Sequence, residues 1–191
     1  TRTTINYEHT EQDDVPDGGI PTVGLNGGAV KADTSKFYGS SDDFEEAKSD
    51  AFTIKFEQDI SDNTIFKNTS RYAKTNQEML LTSPFNYDTT ASTVDRRMHA
   101  RWQENEILTN QSNFTTQIQT GMLLHKISTG IELTKESQLT KNYTAQNAQI
   151  TSLYNPTNIS WNDLTLSGQK SDGETTTVGA YLFDSINIGE K

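Results

Sequence analysis

The chain has 191 residues, enough for one elaborated domain and short of two. Its apolar fraction of 31% is too low for a thick, dry core, yet 8 Phe, 7 Tyr, 2 Trp and only 22% charged residues separate it from disordered compositions. Sixteen Lys and Arg against 26 Asp and Glu leave a net charge of −10, which repels phosphate backbones and excludes nucleic acid as a partner; the lack of cysteine removes disulfides, thiolate metal sites and cysteine nucleophiles.

In chain order, Ile5 and Tyr7 alternate with Asn6 and Glu8, predicting a strand over about 2–11. A long loop, about 12–49, follows. It contains a turn or two of helix around Asp42 to Lys48, with Ser41 as N-cap and Asp42, Asp43, Glu45 and Glu46 in the first turns. Phe52, Ile54 and Phe56 alternate with Thr53, Lys55 and Glu57 in a strand of about 50–60, and Ser61-Asp62-Asn63 is a tight connection to a strand of about 64–81. A second long loop, about 82–96, leads to a strand near 97–119. The short turn Thr120 to Leu123 then opens a strand near 125–136, in which Ile127, Thr129, Ile131 and Leu133 share one face. A third long loop, about 137–174, precedes the last strand, about 175–188.

Short turns and long loops therefore alternate, which puts the turns on one edge of an antiparallel meander and the loops on the other. Membrane β-barrels have that asymmetry. The longest apolar runs, Met122 to Leu124 and Ala180 to Phe183, are far from the ~20 residues of a membrane-spanning helix. The fold class expected is all-β: an antiparallel up-and-down meander of about six long strands. Closed membrane barrels have at least about eight strands, so six make an open segment. Thr1, with no leader pattern after it, reads as an internal position. A soluble sandwich is the alternative, and the two differ in whether Phe52, Ile54, Phe56, Ile127, Ile131 and Leu133 face outward or pack on a second sheet.

Several segments in order resemble the barrel of TonB-dependent siderophore receptors. Ile5 to His9 followed by Glu11 to Pro21 is similar to that family's strand and "P-D-x-G-I-P" loop, and Phe37-Tyr38-Gly39 before an acidic stretch to its next loop. Phe56 to Asn63 resembles its "EHDF-turn" hairpin, Lys67-Asn68-Thr69-Ser70-Arg71-Tyr72 its "RNTLRY" strand, and Thr109-Asn110-Gln111 with His125 to Glu132 its "TNQ…H…xGxE" pair. Tyr143 to Gly173 is the weakest stretch. The subtype most similar is the catecholate receptor. The resemblance implies a partial barrel domain over 1–191 without plug or closing strands, in the bacterial outer membrane. It also implies a ferric siderophore as transported ligand, lipid around the barrel and the TonB complex as partner through the absent plug.

A ferric catecholate is an aromatic anion, so its receptor needs cations and ring faces. Arg96, Arg97, Arg101 and Trp102 cluster where a loop enters a strand, and Arg97 and Arg101 share a face; the arginines could equally meet water or headgroup phosphates, and Trp102 could be an interfacial anchor. Phe37, Tyr38, Tyr87 and Trp161 are loop aromatics that could line a vestibule or pack their own loops. The competing class is a soluble or surface-attached β-domain that binds a glycan or protein through Trp161. No enzyme is expected. Asp13-Asp14-Val15-Pro16-Asp17-Gly18 fails the calcium-loop register at Val15, His9, His99 and His125 lie far apart, and Glu104 with Glu106 lacks the partners of a glycosidase pair.

Overall fold

The computed structural model describes residues 1–22, 31–88 and 90–188, and they form one seven-stranded antiparallel sheet. Its strands are β1 (Arg2–Asp14), β2 (Phe44–Ser61), β3 (Thr64–Asp88), β4 (Thr93–Thr120), β5 (Leu123–Tyr143), β6 (Gln149–Ser152) and β7 (Leu166–Ile188). The order is β1-β2-β3-β4-β5-β7, with the short β6 paired to the upper end of β4. The meander is as expected, and β1 and β7 are its open edges.

Three expectations about its limits are corrected. Asp42 to Lys48 contains no helix, because β2 already begins at Phe44, with Phe44 opposite Leu80 and Ala47 opposite Gln77. The acidic residues that mimic a helix start instead serve loop contacts through Asp42 and Asp43. Residues 82–96 are not a long loop, since β3 and β4 continue toward a four-residue connection, 89–92. Pro84 lies within this stretch, and the ladder absorbs it at a bulge between Pro84 and Asn86, the kind of position where a residue without an N–H is tolerated. The third loop is shorter than 137–174 and holds β6. Part of the first long loop, 23–30, lies outside the described residues.

Directly opposed residues of antiparallel strands point to the same face. Ile5 stands opposite Ile54, Tyr7 opposite Phe52, Phe52 opposite Tyr72, and Tyr72 opposite Leu108. Leu133 likewise meets Val178, and Thr129 meets Leu182. All the apolar members of this set are exposed, as are Phe56 and Ile131, so no second sheet covers them. The opposite face carries Thr4, Asn6, Glu8, Thr53, Lys55, Thr69 and Arg71. A sheet with one bare apolar face and one polar face fits lipid outside and a wet lumen inside. Below, the apolar and polar faces are called outer and inner.

Two contacts fix the pairing of β3, β4 and β5. On the outer face the amide of Asn68 donates to Ser112 Oγ at 2.8 Å and to Asn110 Oδ1 at 3.2 Å, and Asn110 donates back to Ser70 Oγ at 2.7 Å and Asn68 Oδ1 at 3.2 Å. Four polar side chains thus satisfy one another inside an apolar band where an unpaired group is costly. On the inner face Tyr181 reaches over Gly130, its hydroxyl accepting from Asn113 Nδ2 at 2.8 Å. A β-carbon at Gly130 would stand 2.6 Å from that hydroxyl and 2.5 Å from the Ser112 carbonyl oxygen.

Asn110→Leu is expected to lower stability by roughly 1–3 kcal/mol by taking from Asn68 Oδ1 and Ser70 Oγ the donor that Asn110 supplies, while the double change with Asn68→Leu costs less than the sum of the singles; urea unfolding of the bilayer-inserted receptor measures both. Gly130→Val is expected to lower it by about 1–3 kcal/mol through the clash with Tyr181, and Tyr181→Ala in the same chain recovers part of the loss.

Candidate ligand-binding site

β4 has 28 residues, so at ~3.3 Å per residue it is about 90 Å long and at a tilt near 45° rises about 65 Å, against an apolar band of ~25 Å. The upper parts of β3 and β4 therefore form a hairpin that stands clear of the bilayer. Its two faces carry different chemistry, because consecutive residues of β4 alternate between them.

The inner face presents Arg97, His99 and Arg101 in line, all exposed. Arg97 lies over the Phe85 ring, its guanidinium carbon 3.5 Å from the centroid. Phe85 is the bulged residue of β3, and the bulge is what brings a ring beneath the arginine. His99 Nε2 is 2.9 Å from Ser83 Oγ. Next to these groups is an open cleft of about 600 Å³ whose lining includes Met79, Leu81, Ser83, His99, Arg101 and Asn142. A stripe of two permanent cations, an imidazole and one ring face can hold a flat, oxygen-rich anion. The sequence does not mark Phe85 and offers His99 only as a metal-ligand candidate; the parity of Arg97 and Arg101 extends to His99 and places it on their face.

The outer face of the same hairpin is covered. Residues 31–43 and the segment after β6, 153–161, cover it and bond to each other: Ser40 Oγ donates to the Ile159 carbonyl at 2.8 Å, Ser41 N to Asn158 Oδ1 at 2.9 Å and Trp161 N to Asp42 Oδ2 at 2.8 Å. Under this clasp Tyr38, Tyr87, Val94 and Leu153 make a small core, with Ile20 and Ala32 packed against it. The Tyr38 hydroxyl donates to the Leu153 carbonyl at 2.5 Å, and Trp161 Nε1 donates to Thr82 Oγ1 at 2.8 Å.

The structure therefore does not bring the eight candidate residues together. Arg97 and Arg101 share the inner face. Arg96 points the other way and is fully buried beneath the clasp, where loss of water pulls its pKa down and the nearby Asp43 carboxylate pulls it back up. Tyr38, Tyr87 and Trp161 are core residues of the clasp and line no vestibule; burying their rings against the hairpin is what holds two long polar loops in place. For the same reason Trp161 is not offered to a glycan. Phe37 is exposed, with its ring against Gly39, and Trp102 lies on the outer face beneath the Lys141 ammonium, 4.1 Å from its ring centroid. Among the described residues no group of three or more His, Asp or Glu could hold a metal ion.

No family model matches the chain. The catecholate siderophore receptor Fiu of Escherichia coli K12 is 34% identical over 206 aligned residues, which cover 96% of this chain and 27% of the relative. A probable TonB-dependent siderophore receptor of Acinetobacter baumannii, PiuA, is 28% identical over 100% of the chain and 29% of its own length. The crystal structure of the ferric-catecholate import receptor Fiu from E. coli K12, in its open form, superposes with a TM-score of 0.87 at 33% identity, covering 96% of this chain and 31% of that one. The crystal structure of PiuA gives 0.83 at 26% identity, covering 97% and 30%. The chain spans less than a third of the length of these relatives. Homologous over almost its whole length and alike in fold, it is a β-barrel segment of the TonB-dependent siderophore receptors.

Proposed function

We propose that this segment is part of the wall and extracellular rim of a bacterial outer-membrane receptor that takes up ferric siderophore, of the catecholate kind. The ligand is met by the inner face of the β3–β4 hairpin, through Arg97 and Arg101 with His99 between them and Phe85 beneath Arg97. Transport is energised by the TonB complex acting on a plug that lies outside this segment, and no catalysis is involved. The observation that carries the reading is the stacked Arg97–Phe85 pair in line with Arg101 on the polar side of the sheet. In a chain of net charge −10, two exposed arginines and one ring on the same face of two paired strands are a local inversion of the field, suited to an aromatic anion. The chemistry of the names borne by the relatives, catecholate and ferric-catecholate receptors, points the same way.

Phe37 and Trp102 lie apart from this stripe and are assigned no ligand contact. Arg96, Tyr38, Tyr87 and Trp161 support the hairpin from its other side.

In the full-length receptor Arg97→Ala and Arg101→Ala are each expected to weaken binding of a ferric catecholate about tenfold or more, the loss of a charge-assisted contact. Binding of an uncharged ferric hydroxamate serves as the control. Titration of intrinsic fluorescence with both iron complexes reads the difference, and unchanged catecholate affinity in both variants removes the stripe from the ligand site.

A further inference from the structure

The clasp over the outer face holds one group that its hydrogen bonds leave unserved. Arg96 Nη1 donates to the Thr157 carbonyl at 2.8 Å and, at the edge of range, to the Gly39 carbonyl at 3.5 Å. Its Nε and Nη2 are buried, and neither has an acceptor among the described residues. These two N–H groups form the side edge of the guanidinium, the fork whose spacing matches the two oxygens of a carboxylate.

A buried carboxylate lies on the other side of one peptide unit. Asp43 Oδ2 accepts from the Ser40 amide at 3.0 Å, and Ser40 N belongs to the same peptide as the Gly39 oxygen that Arg96 approaches. Oxygen and nitrogen of one peptide are about 2.2 Å apart, so a single peptide plane separates the two charges. Asp43 nevertheless spends both oxygens on neutral donors, since Oδ1 accepts from Thr82 Oγ1 at 2.6 Å. Thr82 is in turn the acceptor for Trp161 Nε1, so a relay runs from Trp161 through Thr82 to Asp43.

We propose that the clasp is a two-position latch, in which the Asp43 carboxylate either holds Thr82, anchoring Trp161, or turns onto the Nε–Nη2 fork of Arg96 and lets the Trp161 loop lift from the hairpin. Each position leaves groups unserved, and the second also takes the acceptor of the Ser40 amide. In the first it is the fork of Arg96; in the second the Thr82 hydroxyl loses its acceptor and its hold on Trp161 weakens. A bidentate pair between two charged groups gained against two bonds from neutral donors to the same carboxylate lost keeps the positions close in free energy. The core beneath is small enough to open without disturbing the sheet.

Val94 is fully buried under the clasp and the chain has no cysteine, so Val94→Cys reports its opening by maleimide labelling of the full-length receptor, any other cysteine being replaced. Thr82→Val removes the first position and is expected to speed labelling about tenfold. In an Arg96→Met background the second position does not exist and only the direct loss of the Trp161–Thr82 bond remains, so the same change is expected to speed labelling by about threefold less than in the unaltered chain; Asp43→Asn, which keeps an acceptor but not the charge, is expected to blunt the effect likewise. Equal acceleration in all three backgrounds, or none with Thr82→Val alone, overturns the latch and leaves the clasp a fixed cover.

Discussion

Every backbone N–H and C=O that a strand carries into a membrane has to be bonded to a neighbouring strand, because lipid offers nothing in exchange. The β3–β4 ladder meets this demand over the greatest length, pairing Thr64 with Thr116 at one end and Asp88 with Thr93 at the other. The remaining strands are added to either side of it. Since directly opposed residues share a face, the ladder also decides which side chains meet lipid and which meet water. The outer row of Phe52, Tyr72 and Leu108 and the inner positions Thr53 and Arg71 follow from the same register.

Above the lipid the ladder continues, but the demand on its outer face changes. There the apolar positions Val94 and Leu80 have no acyl chains to meet, and the two flanking loops supply the cover with Tyr38, Leu153 and Trp161. The inner face is left open, with Arg97, His99 and Arg101 beside Met79 and Leu81. Arg96 and Arg97, consecutive in sequence, thus belong to different environments: one is shut under the clasp, the other stacks on Phe85 in the open. Their separation comes from nothing more than the period of two in an extended chain.

That period is also what made the fold legible. Alternation at Phe52 to Glu57 and Ile127 to Thr134 revealed strands with two environments, and the tight turns at Asp62-Asn63 and Gly121-Met122 supplied the antiparallel order. The illegible parts are those where tertiary cover overrode local chemistry. Ser41 to Glu46 has the pattern of a helix start, but pairing of Phe44 and Glu45 with Leu80 and Met79 claims that backbone for a strand. Pro84 and the polar run after it look like a loop until a clasp is present to pack on the extension. Tyr38, Tyr87 and Trp161 could not be distinguished from ligand-lining rings because burial depends on loops that meet across more than 110 positions of sequence, as in the bond from Ser40 to Ile159. Arg97 and Arg101 were readable, since only their parity mattered.

The bulge at Phe85 sets a rule of parity for the tip. Below it even-numbered residues of β3 face outward, as Leu80 and Thr82 do; beyond it Tyr87, an odd-numbered residue, pairs with Val94 and enters the clasp core. Removing the extra residue would leave Pro84 opposite Arg96, Asn86 opposite Asp95 and Tyr87 opposite Val94 in unbroken alternation, so the clasp would keep its core ring while Arg97 lost the ring beneath it. The single extra residue thus leaves the outer side of the projection as a regular ladder would build it and adds its ring to the inner side alone.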